Sequence, residues 1–149
     1  MRIDFSWNQP LPDLAFEKAG GDAGLLFLAN EAKRYMDPYV PANNLVLAQN
    51  VSLYIENGMG IVEYRSPYAH YQWQGEKYVD PETGVSGFVI PGVGWRSRSG
   101  VAKKKSGKKL KYSKFRHPLA TCHWEKAMMT ARKDDLTGAY QDYINRGRT

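Results

Sequence analysis

Three histidines and one cysteine, His70, His117, His123 and Cys122, are the residues whose types could carry metal, acid–base or nucleophilic chemistry. Cys122 and His123 are adjacent, and neighbouring residues on a helix point in different directions, so they do not readily share one ion. The chain has neither the CxxC nor the HxxxH spacing of a zinc site. As a nucleophile, Cys122 would need a general base and an activating positive field, and adjacency to His123 supplies neither. The carboxylates offer no pair with the spacing of glycoside or metal chemistry. Asp134-Asp135 reads as a helix start, and Glu56 and Glu63 lie across an expected hairpin, on its solvent face. The glycines between Val85 and Gly94 contain no GxxxxGK[ST] pattern for phosphate. The expectation is a protein with no catalytic, cofactor-binding or metal site, and not an enzyme.

Charge is the sharper signal. The formal net charge is +6, but Arg96 to Arg116 holds ten basic residues and no acid. Of the 21 basic residues that leaves eleven elsewhere, against 15 acids, a net −4 for the body. The ten are Arg96, Arg98, Lys103, Lys104, Lys105, Lys108, Lys109, Lys111, Lys114 and Arg116. Such a run neutralises phosphates or docks on an acidic protein face, and the residues alone leave both open. Trp95, Tyr112 and Phe115 lie within or beside it, where they could stack on bases or fill a partner's pocket.

The elements that must position these residues follow from periodicity. At 149 residues, one domain with a single core is expected. Residues 2–7 alternate, placing Ile3, Phe5 and Trp7 on one side of a strand until Pro10 and Pro12 end it. Asp13 caps a short helical turn through Leu14, Ala15 and Phe16, closed by Gly20-Gly21. Asp22 then caps a helix with Leu25, Leu28, Ala29, Ala32 and Tyr35 on one stripe, ended by Asp37-Pro38. Pro38 and Pro41 predict an extended Tyr39-Val40. Val51, Leu53 and Ile55 alternate into Asn57-Gly58, a hairpin signal, with a return strand over 60–64. Ser66-Pro67 opens a short helix closed by Gly75. Residues 76–116 form a long connection with one strand expected at 87–90 and no helix or strand period in its basic half. From Pro118, Trp124, Ala127, Met128 and Ala131 make one stripe and Leu136, Ala139, Tyr140, Tyr143 and Ile144 an offset second, predicting a break at Asp134-Asp135. The class is α+β: a small antiparallel sheet of N-terminal strand plus central hairpin, packed with an N-terminal and a C-terminal helix, with a long extended arm at 76–116. No apolar run approaches ~20 residues, so no membrane partner is expected. No signal peptide pattern opens the chain, and one cysteine excludes an internal disulfide and suits a reducing cytoplasm.

Aromatic-rich stretches punctuate this order. Asp37-Pro38-Tyr39-Val40-Pro41, then Ser66 to Gly75 with Tyr68, Tyr71 and Trp73, then Val79 to Gly84, Tyr112-Ser113-Lys114, and His117 to Ala127 follow one another along the chain. Taken together they resemble the minor capsid (neck, or head–tail connector) proteins of tailed bacteriophages, over roughly the last three quarters of the chain. Two positions depart from that pattern. Ala42-Asn43-Asn44-Leu45 stands where the family usually carries Thr-Gly-Leu, and Cys122 stands where it often has proline.

The resemblance implies a virion structural protein, made in the host bacterial cytoplasm and residing in the neck. There it would form a homo-oligomeric ring joining the portal–adaptor or stopper complex to the tail terminator or tail tube, around a channel for DNA. Tyr68, Tyr71, Trp73, Trp95, Tyr112 and Phe115 are the expected partner-facing aromatics. The basic arm is expected to touch protein or the genomic DNA. A small DNA-binding protein using residues 96–116 is the alternative.

Overall fold

A computed structural model describes residues 1–5, 17–42 and 45–147. The expected placements of Trp7, Pro10, Pro12 and the turn capped by Asp13 fall outside these residues. So do Asn43 and Asn44.

The body is built on a three-stranded antiparallel sheet in the order β1-β3-β2, from β1 (Arg2–Phe5), β2 (Val51–Glu56) and β3 (Met59–Tyr64). Asn57 and Gly58 have φ of 53° and 73°, the double left-handed conformation of a tight hairpin turn. That turn fixes the register Val51↔Tyr64, Leu53↔Val62 and Ile55↔Gly60, and β1 adds Ile3↔Val62 and Phe5↔Gly60. One sheet face therefore carries Ile3, Phe5, Val51, Leu53, Val62 and Tyr64, all packed into the core.

Helix α1 (Gly21–Met36) lies on this face. Gly60 lets it come close, because a β-carbon there would sit 2.9 Å from the Leu25 carbonyl oxygen. Leu25, Ala29, Ala32 and Met36 are buried, and Leu28 and Tyr35 flank them, as the stripe predicts. The start differs from the expected Asp22 cap. Gly20, at φ 100°, is the N-cap and its carbonyl accepts from Gly24 N–H at 2.9 Å. Asp22 falls in the first turn, where its charge favours the helix dipole. The expected extension of Tyr39 is also corrected. Asp37–Tyr39 is one turn of 3₁₀ helix, and only Val40 is extended. Helix α2 (Val46–Gln49) adds one short turn before the hairpin.

Helix α3 (Ala69–Gln74) follows the hairpin, with Gly75 closing it at φ 74°. The opening expected at Ser66-Pro67 is corrected: Tyr68 is the N-cap, and Ser66-Pro67 forms a turn before it in which the buried Ser66 hydroxyl accepts from Tyr68 N–H at 3.3 Å.

Helix α4 (Trp124–Arg146) is one continuous helix of 23 residues, which corrects the predicted break at Asp134-Asp135. Its buried residues Trp124, Met128, Leu136 and Tyr140 lie on a single i+4 ridge, and Arg132 occupies the missing step. The guanidinium of Arg132 lies 4.6 Å from the Tyr35 ring centre, so its stem and cation continue the ridge without an apolar side chain. Asp135 is its ion-pair partner at 2.5 Å, mid-helix rather than at a helix start. Helices α4 and α1 run antiparallel. Tyr35 meets Arg132 at one end, while at the other Phe27 stacks on Tyr143 at 4.3 Å and the Tyr140 hydroxyl donates to Ala19 O at 2.6 Å.

Residues 76–116 hold four strands where the sequence predicts one. β4 (Glu76–Val79) pairs with β7 (Lys104–Lys109), and β5 (Phe88–Ile90) pairs with β6 (Gly94–Arg96), both antiparallel. The arm is thus a ribbon carrying a hairpin rather than a bare extended tether. A run reading Lys-Lys-Ser-Gly-Lys-Lys has no apolar alternation, so nothing in its pattern announces a strand; backbone hydrogen bonds to β4 define it. The α+β class, with N-terminal strand, central hairpin and C-terminal helix, stands as predicted.

Candidate functional site

Two surfaces emerge from the residues singled out above. One is a junction where three distant motifs lock together. The other is the arm.

At the junction, the segment 117–125 threads between the 3₁₀ turn and α3. The Val40 carbonyl accepts from His117 Nδ1 at 2.7 Å, which places the proton on that nitrogen. His117 Nε2 faces Asp37 Oδ2 at 3.8 Å. Thr121 N–H donates to Tyr39 O and His123 N–H to Trp73 O, each at 3.0 Å. The Trp73 indole donates to Glu125 at 2.5 Å, and its ring meets the His123 ring edge-on at 4.4 Å. His123 pays for these two contacts with a left-handed backbone, φ 46°, and serves as the N-cap of α4. Beneath them Trp124 is fully buried against Tyr64, with ring centres 5.3 Å apart. Burial, and then the charge of Asp37, push the Tyr64 phenol well above its ordinary range.

Cys122 is half-buried on Gly75, where a β-carbon would lie 2.6 Å from that of Cys122. The same glycine sits under the Tyr112 hydroxyl, which donates to Gln72 O at 2.6 Å. Burial, with Cys122 alongside, pushes the Tyr112 phenol up to about 12. Lys114 donates to the Ala120 carbonyl. His70 is exposed, edge-on to Tyr71 at 5.8 Å. The histidines and Cys122 therefore go to separate structural contacts. Among the described residues no three His, Cys, Asp or Glu side chains gather as a metal site, and no helix is long and apolar enough to cross a membrane.

The arm begins at this junction. Leu110 N–H donates to Gly75 O at 2.8 Å, and Tyr78 packs edge-on to Tyr71 at 4.8 Å. At the far end of β4, the motif Asp80 to Gly84 is a closed turn. The Asp80 carboxylate accepts from Glu82 N–H at 2.8 Å and Thr83 N–H at 3.3 Å. Arg98, returning from β6, reaches Asp80 at 3.5 Å and Glu82 at 2.5 Å. Those backbone amides first, then Arg98 and Lys103, hold the Asp80 carboxyl below its usual range against the opposing effect of burial. The β5–β6 hairpin is thereby clamped at its root.

Beyond the clamp, apolar side chains face water. Val89 is 71% exposed, Val93 54% and Trp95 52%, with Phe88 and Ile90 also exposed. Val89 and Trp95 are opposite one another in the register. The Trp95 ring rests on Gly87, where any β-carbon would meet it at 2.2 Å, and Lys103 lies 5.5 Å from its centre. Trp95 is thus fixed in place yet half open.

The six expected partner-facing aromatics divide. Tyr68, Tyr71, Trp95 and Phe115 are exposed, Phe115 almost wholly. Trp73 and Tyr112 are held inside the chain by Glu125 and Gln72. The ten cations divide too. Arg96 donates to Trp95 O, Arg98 clamps the turn, Lys103 donates to Ser86 O, Lys105 sits 3.7 Å from Glu76, and Lys114 is engaged as above. Lys104, Lys108, Lys109, Lys111 and Arg116 are exposed. The strand expected at 87–90 is present as β5, while its return strand β6 and the exposure of the apolar hairpin beyond Trp95 go past the sequence reading, although Pro91-Gly92 after Phe88-Val89-Ile90 carries a hairpin signal. Against known proteins, the chain matches no family model, no curated sequence and no solved structure.

Proposed function

We propose that this chain is a structural virion protein of a tailed phage, a neck or head–tail connector subunit. Copies form a ring that joins the portal–adaptor complex to the tail and leaves a channel for DNA. The supporting sequence feature is the ordered set of motifs that resembles phage minor capsid proteins. Three of those motifs, at 37–41, 66–75 and 117–127, interlock in this structure through the Val40–His117, Tyr39–Thr121 and Trp73–Glu125 hydrogen bonds. Their interlocking gives these motifs a structural use that needs no catalytic role.

The observation that carries an assembly role is the β5–β6 hairpin. It is rigidly rooted by Arg98 and Asp80, yet it leaves Val89, Val93 and Trp95 open to water. A soluble monomer has no reason to hold such a patch in one geometry, whereas a neighbouring subunit that covers it turns the exposure into binding energy. The arm of each subunit then reaches the body of the next, a head-to-tail contact that closes into a ring when the rotation allows.

Sedimentation over a concentration series, with negative-stain imaging of the heaviest species, tests this. Wild-type chain is expected to form closed rings, alone or with its neck partners, and Val89→Asp to remain a folded monomer. Labelling the subunit in assembled particles is expected to mark the neck. A label anywhere else, or rings that form equally well with Val89→Asp, would overturn the proposal.

A further inference from the structure

The ribbon of β4 and β7 differs from the hairpin it carries. Its lysines Lys77, Lys104, Lys108 and Lys109, with Lys111 just beyond, are all exposed. Among the described residues none of the five has an acidic partner within ion-pair distance. Lys77 lies outside the basic run in sequence and joins this set only because β4 pairs with β7.

The acids nearby are already committed. β7 bulges between its pairings with Tyr78 and Glu76, with Gly107 at φ 75°. The bulge turns the Gly107 N–H onto Glu76 Oε1 at 3.1 Å, while Glu76 Oε2 faces Lys105 at 3.7 Å. Asp80 and Glu82 belong to the clamp with Arg98. The remaining positive charge therefore projects outward without internal neutralisation.

We propose that this ribbon is a sequence-independent contact for the phosphate backbone of double-stranded nucleic acid. Lysine ammonium groups are compact point charges with no bidentate geometry, which suits contact that positions a duplex without reading bases. A protein partner fits less well, because interface cores are depleted in lysine and enriched in aromatics. β7 itself, Lys-Lys-Ser-Gly-Lys-Lys, carries no apolar or aromatic side chain, whereas Phe88, Val89, Ile90 and Trp95 stand on the β5–β6 hairpin. The connector reading identifies the duplex as genomic DNA in the channel; the affinity of the ribbon for phosphates does not depend on it.

Fluorescence anisotropy with a labelled DNA duplex of arbitrary sequence tests the proposal. Five phosphate contacts predict a slope of about −4 for log affinity against log salt, a loss of roughly 10²- to 10³-fold between about 50 and 200 mM. Replacing Lys77, Lys104, Lys108, Lys109 and Lys111 together by Gln is expected to remove about four units of that slope with unchanged circular dichroism. Wild-type chain that fails to bind duplex at low salt, or a variant that keeps the full slope, overturns it. A variant that binds DNA normally but loses self-association overturns it in favour of an acidic protein face. Ring formation is read separately through Val89→Asp, so either proposal can fail alone.

Discussion

The motif junction and the tip of the arm are both rich in aromatic side chains, and they use them in opposite ways. At the junction Trp73, Trp124 and Tyr112 each meet a specific partner contributed from far along the chain. At the tip Val89 and Trp95 face each other across one hairpin, Trp95 rests on Gly87 beside Lys103, and about half or more of each residue's surface is open. Composition alone makes these regions look alike. What separates them is whether groups from distant segments, side chain or backbone, arrive to meet the rings. Aromatic side chains that hold a fold together and those left open to water are the same residues in different company.

The comparison breaks most visibly at Trp124. Trp124→Ala removes a fully buried ring from the centre of the junction, and a loss of about 3–5 kcal/mol is expected in urea unfolding. A loss below about 1 kcal/mol would mean that the junction is not the core. Gly75→Ala comes next, because φ 74° and the 2.6 Å approach to Cys122 leave no room for a methyl group. It is expected to cost about 1–3 kcal/mol and to loosen the root of the arm, seen as faster amide exchange at Leu110.

A milder effect is expected at the clamp. Asp80 has its folded pKa depressed, so its contribution is fully present above the unfolded value of about 3.9 and is lost as pH falls through the folded value. Amide exchange in β5 and β6 should therefore accelerate on acidification below about pH 4, before the body unfolds. Asp80→Ala should give that faster exchange already at neutral pH and abolish the acid step. Hairpin amides whose exchange does not change with Asp80 would separate the clamp from hairpin order. The smallest effect on stability belongs to Trp95→Ala. The body should stay within about 0.5 kcal/mol of wild type while subunit association weakens at least tenfold, measured by sedimentation. A large drop in body stability instead would place Trp95 in the fold rather than at an interface.

Much of the body was legible because local rules agree there. Asn57-Gly58 dictates its turn, the alternation of Val51 and Leu53 selects the buried sheet face, and the Leu25 to Tyr35 stripe selects the face of α1. The reading failed where a side chain acts outside its usual class. Arg132 fills an apolar ridge position by lying on Tyr35, so α4 looked broken in sequence and is continuous in space. β7 failed for the complementary reason, since its strand comes from pairing and not from pattern. The site candidates show the same division. Trp95 and the lysine run were visible as types, but Trp73 and Tyr112 could not be sorted from Tyr68 and Tyr71 without knowing their partners.

What the amino-acid order determined by itself is local: turn chemistry, helix and strand periods, the charge imbalance between body and arm, and the succession of motifs. Each depends on residues within a few positions of one another, where steric and hydrogen-bonding preferences act directly. Only the tertiary structure decided which rings are consumed in packing, which carboxylates neutralise which cations, and that the strand carrying Lys77 pairs with the one carrying Lys104 to Lys109. Those outcomes depend on contacts between segments distant in sequence, from Arg98 and Glu82, 16 residues apart, to His117 and Val40, 77 apart, and no short-range preference specifies them.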